Sequence, residues 1–252
     1  MPIADAMRFV LVLVRVGTML TFVPFFGGKV VPGVVKTLTA VALSFVLFPF
    51  AEEVPAIRHW EEPLRMCLLV AGEVVFGAVM GFSARLIFKA MRSAGELMGH
   101  QMGMALARAS DPVTGVGTTV VANFCDALGV LVFFTVGGHR LFIAAIHKSL
   151  QEWPLGQMLS ADFIREITVT AAARSFTLAF EFAAPLVVAM FSVALIMAVL
   201  ARVVPEINVL IVGFPLRVGG GLVGLTLLLP FLVQSAAGLC RMVGRFYQAY
   251  PR

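Results

Sequence analysis

Long apolar segments alternate with short polar connections along almost the entire chain. A membrane α-helix needs about 20 mostly apolar residues to cross the hydrocarbon core of a bilayer, and the segments approach or exceed that length. The pattern therefore predicts an all-α, polytopic membrane protein of roughly five to seven hydrophobic helices arranged as hairpins. The apolar segments cover approximately residues 9–26, 34–50, 64–88, 118–136, 171–200 and 207–233.

The polar connections indicate how the segments fold back on one another. The first connection, Gly27 to Lys36, is short and basic, whereas residues 51–62 carry mostly acidic side chains. Loops rich in Lys and Arg are retained in the cytoplasm, so the first two segments predict a hairpin with a cytoplasmic turn. Gly137 to Arg140 separate the segment 118–136 from a short helix that ends near residue 150. This helix is compatible with a span, a re-entrant segment or a helix lying flat. Residues 151–167 predict an interfacial loop.

The composition supports this class of protein. Hydrophobic residues make up 60% of the 252 residues and charged residues 13%, whereas soluble domains have about 45–50% and about 25%. Lipid or partner helices must cover the surplus apolar surface. The net charge of +5 is spread over short connections without a long basic run, which predicts no nucleic-acid partner. Cys67, Cys125 and Cys240 lack CxxC spacing and predict small buried side chains rather than disulfides or zinc ligands.

Arg15, Glu73, Glu181 and Arg217 are charged residues inside the apolar segments. A charge at the centre of a membrane helix costs about 2.5–3.5 kcal/mol on insertion scales. These side chains must therefore be paired, snorkel to the interface, or face water or another subunit. Two acids and two bases permit pairing without specifying it. We favour pairing or subunit contact over a proton or ion relay, because no chain of ionisable groups connects them.

The sequence offers no recognisable catalytic, cofactor or metal site. The four histidines share no metal-ligand spacing, and no GxSxG, HExxH or paired-aspartate protease motif is present. Gly219, Gly220 and Gly221 lie inside an apolar segment and not after a strand, so they indicate close helix packing rather than phosphate binding. We therefore expect no enzymatic activity.

A helix rich in methionine and the break that follows it form the most suggestive element. Residues 93–109 are less hydrophobic than a lipid-facing span, and Met98 and Met102 lie one helical turn apart. The stretch from Ser110 to Gly117 contains Pro112 and two glycines, which break the helix. Irregular backbone at membrane depth is tolerated only where it is buried in protein or lines a water-filled cavity. Plain core packing of the methionines and an ordinary surface connection are the simpler alternatives.

Motifs along almost the whole chain resemble the FliR family, the flagellar biosynthetic proteins of the type III export apparatus. The C-terminal signature runs from Arg202 to Val209 (RVVPEINV) and continues with Gly213 to Arg217 (GFPLR). The GFPLR sequence resembles the flagellar members of the family more than their homologues in injectisomes. Further matches occur in the same order, at Pro24 with Lys36, Ala94-Gly95-Glu96, Gln101-Met102-Gly103, Asp111-Pro112, Gly137-Gly138-His139 and Trp153-Pro154-Leu155-Gly156.

The resemblance implies a core subunit of a protein export gate in the bacterial inner membrane, at the flagellar basal body. Members of the family assemble with FliP and FliQ proteins, and unfolded flagellar proteins pass through the gate. The resemblance further implies that residues 1–170 are a FliP-like helical part and residues 171–252 a FliQ-like helical hairpin. It implies no cofactor, and much of the protein is expected above the membrane plane.

The plug loop follows from the resemblance, and the other candidate residues follow from the sequence itself. A loop that plugs the closed pore corresponds here to residues 106–117, although many relatives have a bulky aromatic residue before Asp111, where this chain has Ala109 and Ser110. Met98 and Met102 are gate-lining candidates. The plug residues are Leu106, Arg108, Ala109, Ser110, Asp111, Pro112, Val113, Gly115 and Gly117. The subunit-contact candidates are Arg15, Lys36, Glu73, Glu181, Pro205, Asn208, Pro215 and Arg217.

Two other functions fit the residues alone. A small-solute transporter or ion channel would use Glu73, Glu181 and the arginines as its pathway. An intramembrane enzyme would use His139, His147 or Glu181. Both would work without the partner subunits that an export gate requires.

Overall fold

A computed structural model describes residues 2–23, 31–51, 63–104, 119–157, 159–204 and 209–248, and the regular structure in these ranges is entirely helical. The helices are α1 (Pro2–Phe22), α2 (Gly33–Leu47), α3 (Pro63–Gln101), α4 (Val120–Thr135), α5 (Gly138–Glu152), α6 (Ala161–Val203) and α7 (Val209–Gln248). A 3-10 turn, Phe48–Phe50, extends α2.

Four segments of the described residues are long and apolar enough to cross a membrane: Gly33–Phe50, Pro63–Gln101, Ala161–Val203 and Ile211–Gly238. Helices α4 and α5 meet at an angle of 71° and together make a fifth span if they are one broken crossing. Helix α1 is not among these spans, because Asp5, Arg8 and Arg15 interrupt its short sequence. The structure confirms an all-α, polytopic membrane protein.

Helix α3 is continuous, whereas the sequence predicted separate helices over residues 64–88 and 93–109. The basic residues Lys89 and Arg92 do not end it, because both reach Asp126 of α4, at 3.8 and 3.4 Å. Helices α3, α6 and α7 contain 39, 43 and 40 residues. At about 1.5 Å per residue they are close to twice as long as the roughly 30 Å hydrocarbon core, so each extends beyond the bilayer.

The break predicted at Gly137 is present. This residue has φ +77° and lies between α4 and α5 as the N-cap of α5. The polar stretch predicted as a loop over residues 151–167 is shorter in the structure, because α6 already begins at Ala161. The remaining connection places Trp153 and Gly156 beside the buried charges described below.

The chain divides into two compact units. One comprises Met1–Ile87, Gly137–Ala173 and Cys240–Arg252, and the other Phe88–Val136 and Arg174–Leu239. The core of the first includes Leu11, Met19, Phe76, Ile146 and Leu150, and that of the second Met91, Met98, Met102, Cys125 and Leu186. The division predicted at residue 170, into FliP-like and FliQ-like parts, stays a prediction.

Candidate functional site

Arg15 of α1 and Glu73 of α3 form a buried ion pair. Their relative exposures are 0% and 1%. The guanidinium donates from Nε to Oε2 and from Nη2 to Oε1, the latter at 3.0 Å. This two-point geometry is the strongest form of an arginine–carboxylate contact. Each charge thereby neutralises the other where water is excluded.

Backbone groups at the end of α5 complete the ion pair. Arg15 Nη1 donates to the carbonyl oxygens of Ser149 and Trp153, at 3.0 and 2.8 Å. Glu73 Oε1 accepts from the amide of Gly156 at 2.7 Å. The Ser149 carbonyl also accepts from the amide of Trp153, the C-cap of α5, at 3.1 Å, so the buried cation adds a second donor at the capped end of this helix. We call Arg15, Glu73 and these three backbone groups the charge cluster.

Glycines bring α1 and α3 close enough for the charge cluster to form. A Cβ atom at Gly77 would lie 1.8 Å from Thr18 Oγ1, and one at Gly81 would lie 2.9 Å from the Cβ of Phe22. Glu73, Gly77 and Gly81 follow one another at four-residue spacing, which places them on one ridge of α3. Close approach along this ridge carries Arg15 to Glu73, and the guanidinium stacks 4.2 Å from the ring centroid of Phe76.

A second pair of glycines on α3 contacts the start of α4. A Cβ at Gly95 would meet the backbone of Ala122 at 2.6 Å, and one at Gly99 would meet Thr119 Oγ1 at 2.7 Å. Thr119 is the N-cap of α4, and its Oγ1 accepts from the amide of Ala122 at 3.0 Å. The same hydroxyl donates to the carbonyl of Gly95 at 3.4 Å. Thr119 is therefore fixed on the surface of α3.

This contact involves described residues on both sides of the predicted plug loop. Helix α3 ends in the turn at Met102 and Gly103, where Gly103 has φ +79°, and Thr119 lies against Gly99 one turn earlier. The plug residues themselves, Leu106 to Gly117, lie outside the described residues. What the structure does describe is the stem of the loop: Gly95, Gly99, Met102, Gly103 and Thr119.

Met98 and Met102 are both fully buried. They occupy the same face of α3, as predicted from their spacing. A Cβ at Gly221 of α7 would lie 2.4 Å from Cγ and 2.7 Å from Cε of Met102. The Met102 side chain thus fills the space beside Gly221. A Cβ at Gly219, in the same run of three glycines, would meet nothing within 4 Å. In this chain the two methionines are packed in protein, and their role in lining a gate stays a prediction.

The other predicted contact residues are distributed differently. Glu181 on α6 is exposed, and Arg217 on α7 and Lys36 on α2 are half-buried. Within the described residues, neither Glu181 nor Arg217 takes part in an ion pair. Pro215 is exposed near the start of α7, and Pro205 and Asn208 lie outside the described residues. Arg15 and Glu73 pair with each other within the chain, which is one of the arrangements considered from the sequence. Contacts of these residues with another subunit stay a prediction.

Sequence reasoning missed several of the contacting groups. The carbonyls of Ser149 and Trp153 carry no side-chain signal, and Asp126 was not singled out although it sits in an apolar segment opposite Lys89 and Arg92. The i,i+3 spacing of those two bases was the available signal. Among the described residues, no group of three His, Cys, Asp or Glu side chains lies together as metal ligands would.

Comparisons with known proteins place this architecture in a family. A family model described as "Bacterial export proteins, family 1" matches residues 6–243. The flagellar biosynthetic protein FliR of Bacillus subtilis (strain 168) is 30% identical over 214 residues, which cover 83% of this chain and 81% of that protein. FliR of Pectobacterium carotovorum subsp. carotovorum is 30% identical over 230 residues, 90% of this chain and 85% of that protein.

A secretion protein outside the flagellar group is also similar. Yop proteins translocation protein T of Yersinia pestis is 26% identical over 180 residues, which cover 70% of this chain and 67% of that protein. The two FliR proteins named above thus match with higher identity and over more of the chain. These matches confirm the resemblance read from the sequence motifs, and the chain belongs to the bacterial export proteins, family 1.

Proposed function

We propose that this multi-pass membrane protein is a core subunit of the flagellar type III protein export gate and helps form the pore through which unfolded flagellar proteins cross the inner membrane. The observation that carries the proposal is the match to FliR proteins over more than four-fifths of the chain. The flagellar assignment rests on the higher identity and coverage of those relatives compared with the Yersinia protein.

The stem of the plug loop supports a gating role for residues 106–117. The described residues that flank the segment are held by close helix contacts, Thr119 by Gly95 and Gly99 of α3 and Met102 by Gly221 of α7. A loop that leaves and returns at one point can move as a unit without separating the helices that carry it. The sequence of the segment is rich in small residues, such as Ala109, Ser110 and Gly115, and we propose that its displacement has a low free-energy cost.

The proposal includes partners and location. We infer that FliP-like and FliQ-like membrane subunits complete the pore and that the assembly lies in the inner membrane at the flagellar basal body. Membership of an export-apparatus family and several apolar spans support this inference. The chain contributes packing surfaces and a passage, and we propose that it catalyses no reaction and needs no cofactor.

Deleting Ala109 to Gly115 tests the gate. A loop that closes the pore predicts a complex that assembles but leaks, seen as dye or small-ion permeability and slower growth. Replacing the same seven residues with a Gly-Ser sequence of equal length is the matched control, because it keeps the stem spacing. A deletion variant that assembles, stays sealed and secretes normally would make the loop a simple connection.

Copurification separates this function from its two rivals. An export-gate subunit must purify with other small hydrophobic proteins from cells that contain the apparatus. A transporter, channel or intramembrane enzyme would show its activity with this chain alone in liposomes. Activity of the isolated chain, without copurifying subunits, would contradict the proposed function.

A further inference from the structure

Arg8 of α1 carries a guanidinium that has no acceptor in the described part of the chain. Its Nε is buried without a hydrogen-bond partner, and among the described residues Arg8 forms no ion pair, not even with the exposed Asp5 one turn earlier. Nε is the one buried nitrogen of this side chain without a partner, so the two Nη atoms reach the surface. Arginine has five N–H donors, and buried donors are nearly always paired. The guanidinium therefore points to an acceptor outside the chain.

An aromatic ring holds this guanidinium in place. Cζ of Arg8 lies 4.3 Å from the ring centroid of Phe48, and Phe9 packs edge-on against the same ring, with the centroids 5.9 Å apart. Phe48 begins the 3-10 turn that extends α2, and Phe50, which ends that turn, contacts the ring of His147 on α5 at 4.5 Å. A cation–π contact attracts the charge but provides no acceptor oxygen. Arg8 is thus held in position with its hydrogen-bond donors still available.

The turn that carries Phe48 marks one end of a membrane span. Gly33–Phe50 is a candidate span of 18 residues, and at about 1.5 Å per residue its length is close to the roughly 30 Å hydrocarbon core. Its two ends therefore lie near the boundary between hydrocarbon and headgroups, where aromatic and basic residues are enriched. The large exposed side chains along this span are apolar, as lipid contact requires: Val34, Val35, Leu38, Val41, Phe45 and Val46. The Arg8 guanidinium, held on Phe48, thus lies at the depth of the lipid phosphates.

We propose that Arg8 binds the phosphate of a membrane phospholipid at this end of α2, and that the Phe48 ring fixes the guanidinium for this contact. A phosphate offers several anionic oxygens, and arginine contacts it frequently through two parallel hydrogen bonds. An anionic lipid such as phosphatidylglycerol suits the site best, because a zwitterionic headgroup would bring a second cation close to Arg8. The inference does not depend on the export-gate function, since both groups belong to this chain.

Lipid binding to the purified full chain tests the site. The chain in detergent is titrated with phosphatidylglycerol, and native mass spectrometry counts the bound lipid molecules. Arg8→Gln is expected to weaken the tightest binding step by roughly tenfold, as loss of hydrogen bonds between charged groups does. Arg165→Gln removes the same charge from a position where 78% of the side chain is exposed, and it should bind as the wild type does. Equal lipid binding by Arg8→Gln and the wild type would overturn the proposal.

Two further variants separate the role of the ring from that of the charge. Phe48→Leu keeps an apolar side chain but loses the cation–π contact, so lipid binding should weaken by about threefold. Phe45→Leu, which changes a phenylalanine that is 75% exposed on the same helix, is the matched control and should have no effect. Arg8→Lys keeps the charge without the planar guanidinium, and its binding should lie between that of Arg8→Gln and the wild type. Equal binding by Phe48→Leu and Phe45→Leu would overturn the role of the ring.

Three other acceptors predict different results. A free anion predicts that inorganic phosphate displaces phosphatidylglycerol at equal concentration. A carboxylate of another subunit predicts that Arg8→Gln loses copurifying protein while its lipid binding is unchanged. Glu52 and Glu53 follow the turn in sequence and lie outside the described residues, and as acceptors they predict that their double change to Gln lowers the unfolding temperature as much as Arg8→Gln does. Any of these results would overturn the lipid assignment, and we expect none of them.

Discussion

Arg15 and Glu73 are 58 residues apart in sequence and form a two-point ion pair in the protein interior. The same guanidinium also holds two carbonyls at the end of α5. One arginine thus joins three helices, α1, α3 and α5, by contacts that other side chains cannot reproduce together. A buried pair of this kind contributes little compared with apolar packing, but losing one partner leaves an uncompensated buried charge.

Glu73→Gln is expected to destabilise the protein by about 3–5 kcal/mol, because it leaves Arg15 without its counter-charge. The measurement is thermal unfolding of the purified chain in detergent, with Glu166→Gln as an exposed control. Arg15→Lys keeps the positive charge, but lysine lacks the planar guanidinium that contacts the carboxylate and the carbonyls together. Its loss of stability should therefore be larger than that of Glu166→Gln and smaller than that of Glu73→Gln.

The same variants distinguish a structural cluster from a proton relay. A structural role predicts that complexes which do assemble with Glu73→Gln secrete at the wild-type rate per complex. Normal stability and composition combined with lost transport would instead assign Glu73 to a proton pathway.

Gly221→Ala is expected to disturb the stem of the plug loop. The added methyl group would overlap the side chain of Met102; overpacking costs about 1–3 kcal/mol, and because a methionine side chain is flexible, we expect a cost at the lower end of that range. Gly219→Ala adds the same methyl group two residues earlier, at a position where nothing lies within 4 Å, so it serves as the control. We expect increased dye permeability for Gly221→Ala and none for Gly219→Ala. Equal behaviour of the two variants would show that the Met102 contact has no part in closure.

Thr119→Ala removes the N-cap of α4 and its contact with Gly95. Loss of such a cap costs about 0.5–2 kcal/mol. Thr119→Ser keeps the hydroxyl and should retain most of that stability. The expected result is faster proteolysis between residues 105 and 118 in the alanine variant alone, measured in intact complexes. Identical cleavage rates in both variants would mean that the hydroxyl does not hold the loop end.

The sequence identified the intramembrane charges but could not choose among their pairings. Insertion cost alone singles out Arg15, Glu73, Glu181 and Arg217, and two acids with two bases allow more than one arrangement. The choice depends on the close approach of α1 and α3, which Gly77 and Gly81 make possible. The local sequence pattern does not show which helix packs against these two glycines. The carbonyl of Trp153 has no sequence signature at all.

Helix boundaries were predictable where the backbone itself demands them. The break at Gly137 was recognised because Gly137 to Arg140 interrupt the apolar pattern, and the structure shows that Gly137 adopts a positive φ there. The continuity of α3 was not, since the charged residues near Lys89 looked like the end of a span. Their partner, Asp126, lies on another helix, and a tertiary contact of this kind overrides the local pattern of hydropathy. The gate assignment of residues 106–117 rests on family resemblance and stays a prediction.

Arg217 provides the last prediction. It is the single charged residue within the candidate span Ile211–Gly238, it is half-buried, and it has no ion-pair partner in the described part of the chain. If Arg217 only snorkels to the membrane interface, its charge raises the free energy of the inserted helix. Arg217→Leu would then increase stability and leave assembly unchanged. A side chain that contacts another subunit would instead lose copurifying protein when changed to leucine.

We expect the second outcome for Arg217, and the same for Asn208→Leu, whose position lies outside the described residues. Arg217→Lys separates the two mechanisms further. Lysine snorkels as well as arginine does, but it cannot make the planar two-point contact that an acidic or carbonyl-rich partner surface requires. Reduced copurification in Arg217→Lys, with an unchanged unfolding temperature for the isolated chain, would therefore locate the effect at the subunit interface. Unchanged assembly in both the leucine and the lysine variants would assign Arg217 to the lipid interface.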